Sequence, residues 1–418
     1  MSPAVAIHRS IEPRPAQDRK GMVVACSEDT PAAGTLEAPA CEFEIITERT
    51  AFDALEHDWN DLFERAGRGT QAFQTFGWSW HWCNHYLAKD SASGPSLAIV
   101  TGRCAGRLVM VWPLVATRAG GLRQLSWMGE PVSQYGDVLV DEAAHTLALL
   151  RVAWSFIELN IAHDLVRLRK VRDDAMVAPL LAELGARATL RLDAPYLDLA
   201  SAEDFDSYVQ RYSSRSRKKR RASARRLATL GPVTFARHTG GGEARCLALG
   251  ALAMKRAQLK ARALISPTFA DPRMTGFFAD AAAALGRPAG CSVLALACDG
   301  EYAAIDVLVG CKDRVATHIF AYSSKFEKES VGVQLLERAI AQSFADGYRT
   351  FDFLAPADEY KMHWADGVVG VTDWAIPTSV KGWVFARFFL ALARPALKTA
   401  LAALPMPLRR FVASRYPG

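Results

Sequence analysis

The sequence has eight cysteines, at 26, 41, 83, 104, 246, 291, 298 and 311, and no Cys-x-x-Cys pair among them. That scatter argues against a disulfide framework and predicts reduced, mostly core thiols. No run of about 18 uncharged apolar residues occurs, so no spanning helix is expected. The stretch MSPAVAIHRSIEPRPAQDRK lacks the continuous apolar core of a secretory signal. These absences together predict a cytoplasmic protein, at most peripheral at the inner face of a membrane. Acidic residues are missing from two segments. Residues 211–226 (RYSSRSRKKRRASARR) hold nine basic residues and no acid. Residues 380–418 carry Lys381, Arg387, Arg394, Lys398, Arg409, Arg410 and Arg415, again without an acid.

Half of the 418 residues are hydrophobic and 22% are charged, a globular balance in a chain long enough for two domains. The net charge is +6, and removing the nine charges of 211–226 leaves −3 for the rest. The basic character therefore belongs to one segment. That segment has no interleaved aromatics, zinc-ligand spacing or recognition-helix pattern, so it does not read as a nucleic-acid-binding segment. A solvated helix that steers an anionic donor, acceptor or lipid surface fits it better.

Ala- and Pro-rich residues 1–41 show no periodicity and read as a flexible tail. A strand is expected at Glu42–Thr47, followed by Phe52, Leu55, Trp59 and Leu62 at helical spacing. A second helix covers about 76–87, with strands near 96–101, 108–117 and 137–140. A helix at 143–159, a strand at 164–169 and a helix at 174–184 follow. The second half opens at Tyr196, with Ser201 capping one long helix that carries the basic run to Gly231. Helices near 243–261 and 272–285 precede strands at 292–298, 302–309 and 315–322. A helix at 333–346 and a strand at 350–354 complete the pattern. This alternation predicts two α/β halves with mixed central sheets, 42–195 and 196–379. Residues 380–418 read as a basic helical segment that packs on the domain, with an anionic membrane surface as the alternative. His81, Cys83 and His85 invite a metal reading, but no third ligand shares the His81/His85 face, and a packed aromatic helix fits better.

The stretch FDFLAPADEYKMHW (351–364) places Asp, Glu, Tyr, Lys, His and Trp just past a strand. Ahead of it run the polar loop SSKFEKESVG and the helix VQLLERAIAQSFAD, in which Val333, Leu336, Ile340 and Phe344 fall on one face. Gly332 stands at the helix entrance, where free N–H groups and the positive end of the dipole attract a phosphate, and Lys325 and Lys328 add charge.

In order and spacing, FDFLAPADEYKMHW, SVG…LLERAI…G, RSRKKRRASARRL and FQTFGWSW resemble the FemAB-like GNAT-fold acyltransferases, in particular the CelD-type (cellulose biosynthesis) acetyltransferases. The resemblance spans about 42–375. It implies two tandem GNAT-like halves, with an acyl-CoA donor bound by the second. The residues it assigns to the donor are Lys325, Ser330, Val331, Gly332, Val333 and Gln334. The Gln/Arg-x-x-Gly-x-Gly/Ala signature is absent from KESVGVQ, so an aminoacyl-tRNA donor stays open, as in FemAB relatives. Ala355-Pro356 stands where a glycine is frequent.

Direct transfer from a thioester needs a base, oxyanion donors and an acid for the thiolate, but no metal and no permanently bound cofactor. Asp352 or Glu359 can serve as base, Tyr360 as acid, and Lys361 as a partner for phosphate or for charge near the sulfur. Asp352, flanked by two Phe residues, fits a structural pair with Lys361 equally well. By resemblance, Gln74, Trp78, Tyr135 and Asp137 line an acceptor groove, although ordinary turn chemistry around Gly136 explains the last two as well. The implied reaction is transfer of an acetyl group from acetyl-CoA to a polysaccharide or cell-envelope sugar. A FemAB-type aminoacyltransferase and a non-catalytic, membrane-peripheral accessory factor of exopolysaccharide assembly are the alternatives.

Overall fold

A computed structural model gives the fold and describes residues 22–24, 41–87, 94–141 and 146–414. Apart from 22–24 and Cys41, the expected N-terminal tail lies outside these residues.

Two mixed βαβ units set the architecture. In the first, the strands Leu122–Trp127 and Leu165–Arg172 run parallel, joined through the helix Thr146–Asn160. In the second, Arg314–Tyr322 and Thr350–Asp352 run parallel, joined through the helix Val331–Ala345. A parallel pair needs such a crossover, and a helix supplies it. The expected halves are thus visible as two copies of one motif.

The halves are not separate sheets. Arg187–Asp198 pairs along its length with Gly367–Pro377 and, through Tyr196–Asp198, with Thr350–Asp352. Gly367–Pro377 in turn pairs with Leu165–Arg172 of the first half. These two strands fuse both units into one eleven-stranded sheet, and the expected 195/196 boundary falls inside the first of them. A second, five-stranded antiparallel sheet contains Cys41–Ile46, Ile99–Cys104, Arg107–Trp112, Leu139–Val140 and Met22–Val24, the last a strand within the expected flexible tail. One buried cluster runs across both halves, bringing Trp59, Trp78 and Trp82 together with Leu252, Phe277 and Phe278.

Several expectations change. The long helix of 201–231 is two helices, Phe205–Val209 and Ser214–Ala228. Each has its own side-chain cap: Asp204 accepts from the Ser207 amide and Ser213 from the Ser216 amide, so the chain restarts rather than continues. The strands Leu122–Trp127, Val233–His238 and Gly367–Pro377 had no counterpart in the sequence reading. Cys41 and Cys104 lie directly opposite on neighbouring strands and are disulfide-bonded, which corrects the reading of reduced thiols for this pair. Cys83, Cys291, Cys298 and Cys311 are buried and free, and Cys246 is exposed. His85 pairs with Asp280 at 2.8 Å, and His81 is buried in the same helix.

Candidate active site

The parallel strands of the second half pair at only three positions, Arg314↔Thr350, Val315↔Phe351 and Ala316↔Asp352. Past Ala316 the first strand continues to Tyr322, while the chain after Asp352 turns away into the 353–358 loop. The outer edge of Thr317–Tyr322 is left without a strand partner, so its backbone groups face other elements. Two of its carbonyls are taken by the long helix Gly241–Ala261, where Lys255 Nζ donates to Phe320 O and Gln258 Nε2 to Tyr322 O. The register against Glu301–Cys311 slips by one residue at His318, a bulge beside the point of splaying. His318 Nε2 meets Val132 O, and burial pushes its pKa down to about 4, so the ring is neutral at physiological pH.

The helix Val331–Ala345 starts at the same place. Ser330 is left-handed (φ 55°, ψ 42°) and gives no side-chain cap. The first amide with an acceptor in the preceding turn is Gln334 N, which donates to Ser330 O. The N–H groups of Val331, Gly332 and Val333 therefore open the helix with no acceptor among the described backbone, at the positive end of the dipole. A Cβ on Gly332 would stand 3.3 Å from Tyr322 and 3.4 Å from Phe320, so glycine lets the helix start press against the strand aromatics.

A cleft of about 300 Å³ lies at this helix start. Ser216, Lys219 and Arg220 of the basic helix form one wall, Ser330, Val333, Gln334 and Glu337 the second, and Tyr360, His363 and Trp364 the third. Arg220 is about nine-tenths buried, stacked 4.3 Å from the Tyr212 ring centre and 4.9 Å from that of Trp364. Its Nη1 lies 3.3 Å from Glu337 Oε1, outside hydrogen-bond geometry, so the guanidinium N–H groups remain unsatisfied in the protein. The basic helix also clamps the loop ahead of the site. Ser223 Oγ donates to Glu329 O, and Arg226 Nη2 donates to Lys328 O.

The 351–364 stretch divides into structural and accessible groups. Asp352 is fully buried. Its Oδ1 accepts from Tyr135 OH at 2.8 Å and Leu354 N at 2.9 Å, while Oδ2 faces Arg314 at 3.0 Å and Arg172 at 3.5 Å. With its oxygens so occupied it is a tie between the halves, which corrects its assignment as a base. Its cationic partners are the two arginines, not Lys361. Lys361 is buried and donates to Leu354 O and Pro356 O, each at 2.9 Å. Burial lowers its pKa to about 8, against the opposing pull of Asp358. It holds the loop and does not line the cleft. Tyr360 is half-exposed and stacks over Phe320. Desolvation, with Asp358 and Asp306 nearby, holds its phenol well above the ordinary range, so it is an O–H donor at neutral pH. Glu359 is exposed at the start of the short helix Glu359–Met362.

Of the expected donor residues, Ser330, Val333 and Gln334 line the cleft, and Val331 and Gly332 contribute backbone N–H groups. Val333 is exposed at the rim rather than in the core face with Leu336 and Ile340, because the first helical turn faces the cleft. Lys325 is turned away, paired with Glu301 on the surface. All four expected acceptor residues are buried. Gln74 Nε2 donates to Tyr135 O, and Trp78 Nε1 to Ser133 Oγ. Tyr135 holds Asp352. Asp137 accepts from Gln71, Val138, Met176 and Val177. Gln74, Trp78 and Asp137 are packing and hydrogen-bond residues, and Tyr135 also borders a small pocket with Glu130, Ser133 and Lys170.

The sequence reading also passed over Asp306. It lies directly opposite Phe320 in the sheet, so its carboxyl shares a face with the ring beneath Tyr360. Both of its oxygens stand 2.9 Å from Thr317 Oγ1. Burial raises its pKa to about 7, opposed by Thr317 and by Lys255. An aspartate inside the apolar run YAAIDVLVG was the available signal.

Residues 214–362 match the family model described as an acetyltransferase (GNAT) domain. A comparison with curated proteins finds no match. Among solved structures the chain is similar to FemX, at 11% identity over 79% of this chain and 98% of that one, with a TM-score of 0.55. It is also similar to a tandem GNAT protein from the clavulanic acid biosynthesis pathway, at 13% identity over 80% and 98%, TM-score 0.44. L-PGS from Bacillus licheniformis aligns at 11% identity over 79% and 95%, TM-score 0.44. At such identities the likeness to FemX speaks to the fold, and it does so over nearly the whole of that protein.

Proposed function

Starting from a chain that is an acyltransferase with a GNAT domain over residues 214–362, we propose that it transfers an acetyl group from acetyl-CoA to an amine or hydroxyl of a polysaccharide or cell-envelope sugar. The observation that carries the donor is the helix start at Val331–Val333, with the unsatisfied Arg220 guanidinium and Lys219 facing the same cleft. Free amides, a helix dipole and two cations suit the diphosphate of a coenzyme. The acceptor class follows from the resemblance to CelD-type acetyltransferases.

In this reading the thioester lies along the free edge of Thr317–Tyr322, whose backbone N–H groups stabilise the oxyanion. The acceptor attacks the carbonyl carbon, its proton passes through the Thr317 hydroxyl to Asp306, the C–S bond breaks, and Tyr360 protonates the departing thiolate. Lys361 and Asp352 hold the loop that presents Tyr360.

A second reading has a specific observation behind it. Arg215, Lys218, Arg221 and Arg225 are exposed on the basic helix outside the cleft, and a polyanionic donor such as an aminoacyl-tRNA would meet them. Calorimetric titration of the full chain with acetyl-CoA and with charged tRNA separates the two. Micromolar binding of acetyl-CoA, and thiol release on adding amino sugars or oligosaccharides, supports the first. Binding of charged tRNA alone overturns it.

A further inference from the structure

The helical run 380–403 packs on the sheet through one face. Val380–Val384, Phe385–Ala393 and Arg394–Ala403 form one helical run whose junction residues all keep right-handed helical backbone angles. Ala386 and Leu390 are buried against Leu122, Leu165 and Ala375. Gly382 fixes the start, since a Cβ there would lie 1.7 Å from the Asp164 carbonyl oxygen. Ser379 Oγ bonds Asp164 Oδ1 at 2.9 Å, and Thr378 Oγ1 bonds His163 O at 2.8 Å. The helix is thus held at a set orientation. Its outer side carries Val380 (80% exposed), Trp383 (51%), Phe388 (54%) and Leu392 (60%). Lys381 and Arg387 stand exposed among them, and no acid occurs from 374 to 418.

We propose that this outer face docks the protein onto the surface of an anionic lipid bilayer, the aromatic and aliphatic side chains entering the headgroup region and Lys381, Arg387 and Arg394 pairing with lipid phosphates. Large apolar groups interleaved with cations are the composition of an interfacial helix. A second copy of this chain is a poor occupant, because the same face would bring like charges together. Among the described residues no helix is long and apolar enough to cross a membrane, so the segment lies on the surface rather than spanning it. The docking is independent of the acyl donor and acceptor.

The test is cosedimentation of the full chain with vesicles of phosphatidylglycerol and phosphatidylcholine, or of phosphatidylcholine alone. The expected result is binding to the anionic vesicles that falls several-fold in about 0.5 M salt and is weak on the neutral ones. Arg387→Gln with Arg394→Gln should lower partitioning about 30-fold, and Phe388→Asp with Leu392→Asp should abolish it, with circular dichroism reporting on the fold of each. Three results would overturn the proposal: no binding by the unmodified chain, equal binding to neutral vesicles, or full binding by the arginine variant. A lipid-free dimer that dissociates on Phe388→Asp/Leu392→Asp would assign the face to self-association instead.

Discussion

The Tyr135 hydroxyl donates to Asp352 Oδ1 at 2.8 Å, joining residues 217 positions apart and tying the first half to the strand end that opens the candidate site. Arg172, 4.9 Å from the Tyr135 ring centre, and Arg314 approach the same carboxylate. Tyr135→Phe removes one charge-assisted bond and should cost about 1.5–3 kcal/mol. Asp352→Ala leaves two largely buried arginines without their shared carboxylate and should cost about 3–5 kcal/mol. Denaturant unfolding of both variants checks the order. Equal losses would mean that the carboxylate is not the hub.

Lys361 and Tyr360 are neighbours with different work. Lys361→Ala strands the carbonyls of Leu354 and Pro356 and should lower stability by about 1–3 kcal/mol, with activity falling because the loop loosens. Near-normal stability in that variant would contradict the tether geometry.

The buried carboxyl of Asp306 gives a pH signature. Its pKa is about 7 in the folded chain against 3.8 for an unperturbed aspartate. Between those values the unfolded chain gives up a proton that the folded chain keeps. The unfolded state then binds fewer protons, and stability falls as pH rises from about 4 to 7. Asp306→Asn keeps an acceptor for Thr317 and removes the titration. The variant should match the parent near pH 4 and melt higher than it at pH 8. Parallel melting curves across that range would refute a raised pKa.

Much of the fold was legible because its helices and antiparallel strands are amphipathic on their own. Trp59 and Leu62 announce the helix Glu56–Ala66, and Leu336 and Ile340 another, by spacing alone, whereas Phe52, expected in register with the first, sits in a separate short helix, Arg49–Asp53. The strand Arg187–Asp198, which joins the two halves, was read only from Tyr196. Its first part, RATLRLDA, alternates polar and apolar residues, a strand signal the sequence reading passed over. The site followed the same division. The helix entrance at Gly332 is a local feature and was readable. The third dimension decided the rest: Lys219 and Arg220 reach the cleft only because a separate helix packs beside it. Asp352 looked reactive and is buried because Tyr135, Arg172 and Arg314 come from distant segments to cover it.

If Arg220 serves the donor and Tyr360 the chemistry, their variants should separate in kinetics. Arg220 sits at the cleft wall with unsatisfied N–H groups, bracketed by Tyr212 and Trp364. Arg220→Ala removes an interaction made equally in ground and transition states, so KM for the donor should rise about 10- to 100-fold with kcat nearly unchanged. Tyr360→Phe removes a proton needed only as the thiolate leaves. It should lower kcat about 100-fold or more while donor KM and thermal stability stay put. Steady-state kinetics with varied donor concentration reads both. A Tyr360→Phe enzyme of normal kcat would remove the phenol from the reaction and leave it as packing on Phe320.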